Sequence, residues 1–121
     1  RLQVAVQVPA DAPPALSAIA AGALAEAGYV TVEESKADFV LAVQTTLNEA
    51  NFREGWYWVT GSVQAQLRST RDGRVRGTRS WPVKASAQDA TMARQRAWEQ
   101  VGTLLKKQLA GSFAAFASGE E

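Results

Sequence analysis

The side chains able to do covalent chemistry are few. The 121 residues include no His and no Cys, which removes the imidazole base, the thiolate nucleophile, Cys/His metal sites and disulfides together. The one close group of carboxylates is Glu33, Glu34 and Asp38, a spacing that a paired acid and base or a divalent cation could use. They fall on a polar run between two strand patterns with no convergent partner in sequence, and we read them as a solvated loop. Gly22 to Gly28 has glycine spacing, but it lies inside and at the end of a helical pattern instead of opening a helix after a strand, so it forms no phosphate cradle. No catalytic, cofactor-binding or metal-ligating residue is expected.

Binding chemistry is better supplied. Arg68, Arg71, Arg74, Arg76, Arg79 and Lys84 cluster in one stretch with Trp81 among them, a composition that could track a phosphate backbone and stack a base. Strand alternation sends Arg74, Arg76 and Lys84 to one side and Arg79 and Trp81 to the other. The isoelectric point near 8.3 also lies below the strongly basic footprint of nucleic-acid domains, so nucleic acid is not the expected partner. Trp56 and Trp58 are the sharper feature. Alternation puts them on a strand face with Thr60, Ser62, Gln64 and Gln66. There they are covered by the neighbouring Asn51 to Gly55 loop, or shifted by a change of register, or serve as an anchor for a neighbouring subunit, another protein or a membrane interface. Trp56, Trp58, Arg74 and Arg76 are the candidate contact residues.

A small set of elements must position them. Leu2, Val4, Val6 and Val8 alternate with Gln3, Ala5 and Gln7, the period of a strand with one buried face. Asp11 ahead of Pro13 and Pro14 reads as an N-cap with proline in the first turn, opening a helix whose Leu16, Ile19, Ala23, Leu24 and Ala27 fall at helical spacing and which Gly28 ends. Val30 and Val32 give a short strand. Ala37 to Gln44 gives a third, apolar on both faces at first, as in the middle of a sheet. Asn51 to Gly55 reads as a connection, and Trp56 to Thr70 as a long strand burying Tyr57, Val59, Val63, Ala65 and Leu67. Asp72-Gly73 turns the chain, and a fifth strand returns through Val75, Gly77, Arg79, Trp81 and Val83. Ser86 to Asp89 has the form of a capping box and opens a helix along Ala90, Ala93, Ala97, Val101, Leu104 and Leu105. Gly111 to Glu121 extends that helix by a turn or two before fraying. The fold class is α+β, in the order β-α-β-β-β-β-α, with two helices packed on one face of a mixed, mainly antiparallel sheet. Residues 1–121 form one domain without an internal repeat.

A chain of this length can bury about two thirds of its unfolded surface, and 46% hydrophobic against 21% charged residues is globular rather than disordered composition. The apolar stretch Ala15 to Ala27, interrupted by Ser17, Gly22 and Glu26, falls short of the ~20 residues that cross a membrane. No signal-peptide pattern precedes it, so any leader or lipid-bearing segment is expected upstream of Arg1. The net charge of +1 hides an asymmetry: residues 1–67 carry three basic and seven acidic side chains, residues 68–121 ten and five. Such a split suits either solvated strand faces or complementary patches for head-to-tail association.

Ala27-Gly28-Tyr29 closing the first helix, Ala37-Asp38-Phe39-Val40-Leu41 opening a strand, Asp72-Gly73 between strands and Ser86 to Ala90 before the last helix follow in the order and spacing of a group of bacterial envelope proteins. The chain resembles the TolB amino-terminal-domain type, shared by CsgG-like, LpoB-like, PelC-like and FlgT-like lipoproteins and periplasmic components. It departs from the group at Val8-Pro9-Ala10-Asp11, where a polar Asn-Thr loop is often found, which leaves the subfamily open. The resemblance implies a noncatalytic assembly, scaffolding or partner-recruitment domain without a cofactor. It would sit in the periplasm or on the periplasmic face of the outer membrane, tethered through an upstream lipid anchor, with envelope proteins or a ring of its own copies as partners. The alternative is a binding module for an anionic polymer, nucleic acid or acidic polysaccharide, through the Arg-rich hairpin. An enzyme built on Asp, Glu, Lys, Arg and Tyr side chains comes third.

Overall fold

The computed structural model describes residues 2–118. The elements are β1 (Gln3–Gln7), α1 (Ala15–Glu26), β2 (Val30–Thr31), a 3-10 turn (Glu34–Lys36), β3 (Phe39–Leu47), β4 (Asn51–Arg53), β5 (Trp56–Ser69), β6 (Val75–Ala87) and α2 (Ala90–Ala117). The expected α+β architecture is present with one strand more than the sequence pattern indicates. The sheet runs β2-β1-β3-β5-β6, and β4 joins β5 on the same side as β3, beyond β3's end. β1 lies parallel to both β2 and β3, and the other pairs are antiparallel.

Alternation along the strands explains the single core. Val4, Leu41, Val43, Val59, Val63 and Leu67 point to the face where Leu16, Ala20 and Leu24 of α1 meet Ala97, Val101, Leu105, Leu109, Phe113 and Phe116 of α2. Each of the large side chains is worth about 1.5–3 kcal/mol of burial. Ala93 and Ala97 are fully buried in the first turns of α2, where small side chains let the helix lie close to β5 and β6. α2 continues to Ala117 because Ser112, Phe113 and Phe116 are buried, so the stretch after Gly111 begins with the one or two further turns of helix that the pattern indicates. The last three residues of that stretch lie outside the described residues.

The other face is polar along the middle of the sheet, but at the β1–β3 end Ala5 and Val40 are 4% and 0% exposed although they point away from both helices. Topology supplies the cover. β1 sits between β2 and β3, so the connection from β2 to β3 must cross β1, and the 3-10 turn makes that crossing on the helix-free side. There Glu34 accepts a hydrogen bond from Gln7 Nε2 at 2.9 Å and pairs with Arg68 at 3.4 Å. Glu33 pairs with Lys36 at 3.6 Å. Asp38 accepts from the Gln3 backbone N–H at 2.9 Å. The three carboxylates thus each have a separate structural partner.

Two boundaries differ from expectation, each for a local reason, and a third falls where the pattern puts it. Pro14 occupies the start of α1 with no side-chain cap; Asp11 is too far upstream, and the chain enters through backbone turns from Ala12 to Pro9 and from Leu16 to Pro13. Asp89 caps α2, its Oδ1 accepting from Met92 N–H at 2.7 Å. Ser86 still belongs to β6, and its carbonyl accepts from Arg96 at 2.9 Å. Asp72-Gly73 closes a four-residue loop, in which Gly73 at φ +72° donates to the Ser69 carbonyl at 2.9 Å and Ser69 N–H donates to Arg74 at 2.8 Å.

Candidate interaction surfaces

Asn51 to Gly55 is not a loop but the outer arm of a hairpin. Arg53 and Trp56 face each other across Glu54-Gly55, whose φ values of +55° and +85° define the two-residue turn that suits strand twist. Register then sorts the side chains. Phe52 opposes Tyr57 on the helix side, with rings 5.0 Å apart, while Arg53, Trp56 and Trp58 share the helix-free side with Lys84. Phe52 and Trp56 are 60% and 42% exposed.

Trp58 is half-buried and already engaged. Its indole N–H donates to the Arg53 carbonyl at 3.1 Å, and the Arg53 guanidinium and Lys84 ammonium lie 5.3 and 5.0 Å from its ring centroid. Cation–π contacts at such exposed sites contribute roughly 0.5–1 kcal/mol each, enough to stiffen the hairpin. Trp56 and Phe52 are left as its exposed aromatics. Phe52 escaped the sequence reading, although the Glu54-Gly55 dipeptide between two aromatics was the available signal.

The Arg-rich hairpin at the far end of β5 is less uniform than alternation implies. The register shifts at Leu67/Arg68, so that Leu67 opposes Gly77 while Arg68 opposes Val75. Arg76 is the extra residue of this bulge and turns to the helix side. Its Nη2 donates to the Ala117 carbonyl at 3.3 Å, placing a cation at the C-terminal end of α2 where the helix dipole favours it, and its guanidinium lies 5.9 Å from the Phe39 ring centroid. Arg76 therefore does not share a side with Lys84, which lies opposite Thr60 on the helix-free face. Arg79 sits 5.8 Å from the Phe116 ring, and Arg71 and Arg74 are exposed at the loop. Asp72 is held below its ordinary 3.8, chiefly by the Arg74 backbone N–H and also by the Ser69 hydroxyl.

Trp58 and Arg68 are ten residues apart on β5, about 33 Å at strand rise, and Arg68 pairs with Val75 beside the loop. Trp56 and Trp58 thus lie at one end of the hairpin strands and Arg74 and Arg76 at the other, as two surfaces. Between the helices, Pro13, Leu16, Ile19 and Trp98 line a shallow apolar groove of about 440 Å3 with Gln95 and Glu99 at its rim. Among the described residues no group of three or more Asp or Glu side chains could hold a metal ion. These surfaces offer stacking, charge and hydrogen bonding to a partner.

No family model matches the chain, and no curated protein matches it in sequence. Solved structures match it closely in fold. A Xanthomonas campestris protein of the DUF330 family superposes with a TM-score of 0.69 at 17% identity, covering 97% of this chain and 86% of that one. A minor lipoprotein from Acinetobacter baumannii gives 0.66 at 13% identity, covering 90% of each chain. A subunit of the PelC dodecamer from Paraburkholderia phytofirmans gives 0.54 at 15% identity, covering 90% of this chain and 84% of that one. The fold is one shared with bacterial lipoproteins and PelC, the group whose motifs the sequence resembles.

Proposed function

We propose that the domain is a noncatalytic assembly or partner-recruitment module of the bacterial cell envelope, held in the periplasm or at the periplasmic face of the outer membrane by an upstream lipid anchor. Trp56, carried on the hairpin that Trp58 pins, is the centre of its principal contact surface, and Arg74 beside the bound Arg76 marks a second. The observation that carries this reading is the β4–β5 hairpin. It offers large exposed aromatics on a paired, pinned element, so little conformational entropy is lost when a partner covers them. The lipoprotein neighbours support the envelope setting, and the description of PelC as a dodecamer supports association with further copies of this chain.

Light scattering over a concentration and salt series, together with binding to isolated envelope proteins, tests the reading. The wild-type domain is expected to form a defined association that Trp56→Ser/Trp58→Ser abolishes while its unfolding transition stays cooperative. A double variant that keeps every native association overturns the contact assignment. The anionic-polymer alternative draws on Arg71 and Arg74, because Arg68 is occupied by Glu34 and Arg76 by the end of α2. It requires polyanion affinity that falls steeply with salt.

A further inference from the structure

β6 is an edge strand, and its outer side is closed along only part of its length. Alternate residues turn their backbone groups outward. Lys84 is one of them: its N–H donates to Gln100 Oε1 at 2.7 Å and its carbonyl accepts from Gln100 Nε2 at 3.1 Å. Ser86 is the next, with its carbonyl bonded to Arg96, and Pro82 carries no N–H. Continuing the same alternation, Thr78 and Ser80 point outward, both are exposed, and among the described residues nothing bonds to their outward N–H and C=O groups. That leaves two donors and two acceptors spaced about 6.6 Å apart along the strand, the template that an added strand uses.

The rim of this open segment is basic. Arg79 lies between Thr78 and Ser80 on the helix side and is exposed, and Arg76 follows towards the loop. On α2, Lys107 stands two turns beyond Gln100 on the same helix face and is exposed. Among the described residues the ion pairs are Glu33–Lys36 and Glu34–Arg68, so none of these three cations has a carboxylate partner there.

We propose that the open edge of β6 at Thr78–Ser80 receives an extended acidic segment of another protein, which adds as a further strand and directs carboxylates to Arg79 and Lys107. The proposal rests on the recruitment reading above and gives the partner's chemistry. A second copy fits less well: two β6 edges would bring like-charged rims together, and at the opposite edge β2 turns only Thr31 outward, because the Val30 and Val32 N–H groups bond inward to β1.

The probe is the capped peptide acetyl-Glu-Thr-Glu-Val-Glu-Thr-Glu-amide, followed by amide NMR and hydrogen exchange on the whole domain. Binding is expected to shift the Thr78 and Ser80 amides and slow their exchange. Ser80→Pro, which deletes an outward N–H as Pro82 already does two residues on, is expected to weaken binding about tenfold without loss of folding. Should that variant fold poorly, the same peptide N-methylated at alternate residues gives the same loss against the wild-type domain. Equal binding by the methylated and unmethylated peptides, or by Ser80→Pro and wild type, would reduce the contact to charge alone and overturn the proposal. So would absence of binding, or a Ser80-dependent rise in mass without peptide, which would put a second copy at the edge. If the Trp56/Trp58 variant loses its association while the peptide fails to bind, the recruitment reading stands and the acidic strand falls.

Discussion

Gly77 and Phe116 form a contact whose energy can be isolated. A methyl group on Gly77 would stand within 2.6 Å of Phe116 Cε1 and Cγ, and the ring is 1% exposed, so it has no open space to retreat into. Overpacking of this kind costs about 1–3 kcal/mol, offset by about 0.5 kcal/mol from the stiffer unfolded chain; Gly77→Ala is therefore expected to destabilise by about 1.5 kcal/mol. Phe116→Ala empties the site and costs about 3–5 kcal/mol. In that background the methyl introduced by Gly77→Ala enters vacated space and its cost vanishes, so the double variant falls short of the sum by about 1.5–2 kcal/mol. Urea unfolding followed by tryptophan fluorescence measures all four corners of the cycle, with an unchanged denaturant slope as the check on two-state behaviour. A coupling below about 0.5 kcal/mol would refute the contact, because independent sites add within that margin.

Two further outcomes follow from the turns and caps. Asp89→Ala is expected to lower stability by about 1 kcal/mol, the usual value of a helix N-cap, while Ser86→Ala leaves it within about 0.5 kcal/mol; thermal unfolding of the two variants decides which residue caps α2. The Asp72 carboxylate accepts the Arg74 N–H in the folded chain only, so its folded pKa is depressed. Its contribution is present above the ordinary 3.8 and is lost as pH falls through the lowered folded value. Carboxyl NMR titration should place the Asp72 midpoint below 3.8, and a midpoint at or above it would mean that the loop hydrogen bond is absent in solution.

Much of this architecture is legible in the residues because burial and period agree. Leu41 and Val43, Val59 to Leu67, and Leu16 to Leu24 each repeat at the spacing of the element they form, and the structure buries them on one face. The helix pairing on a mixed sheet and the crossing from α1 into β2 follow from the same pattern. The misplaced features are those in which two local signals compete. Ser86 and Asp89 both fit a cap, and only the length of β6, set by its pairing with β5 to Ala87, decides between them. Asn51 to Gly55 is polar and short, and its strand character comes from Trp56 to Trp58 opposite, not from its own propensity. The bulge that turns Arg76 leaves no mark on composition, so alternation counted through Val75 assigns it the wrong side. Of the candidate residues, the exposure of Trp56 was readable, whereas the pinning of Trp58 depends on Arg53 and Lys84, which are brought to it from β4 and β6.

The paired side chains Gln100 and Arg96 carry a geometrical limit. Four residues of helix advance about 6.0 Å and two residues of strand about 6.6 Å, so a helix running antiparallel beside an edge can offer one side chain to every second strand residue, as a vernier scale meets its rule. Arg96 meets Ser86 and Gln100 meets Lys84. Each four-residue step also over-rotates by about 40°, so Leu104 is already turning away when it comes level with Pro82, and Gln108 has swung about 80° from Gln100 by the level of Ser80. A straight helix can seal only two or three rungs of a strand edge, and any longer edge strand beside it must stay open, end in proline or find another chain.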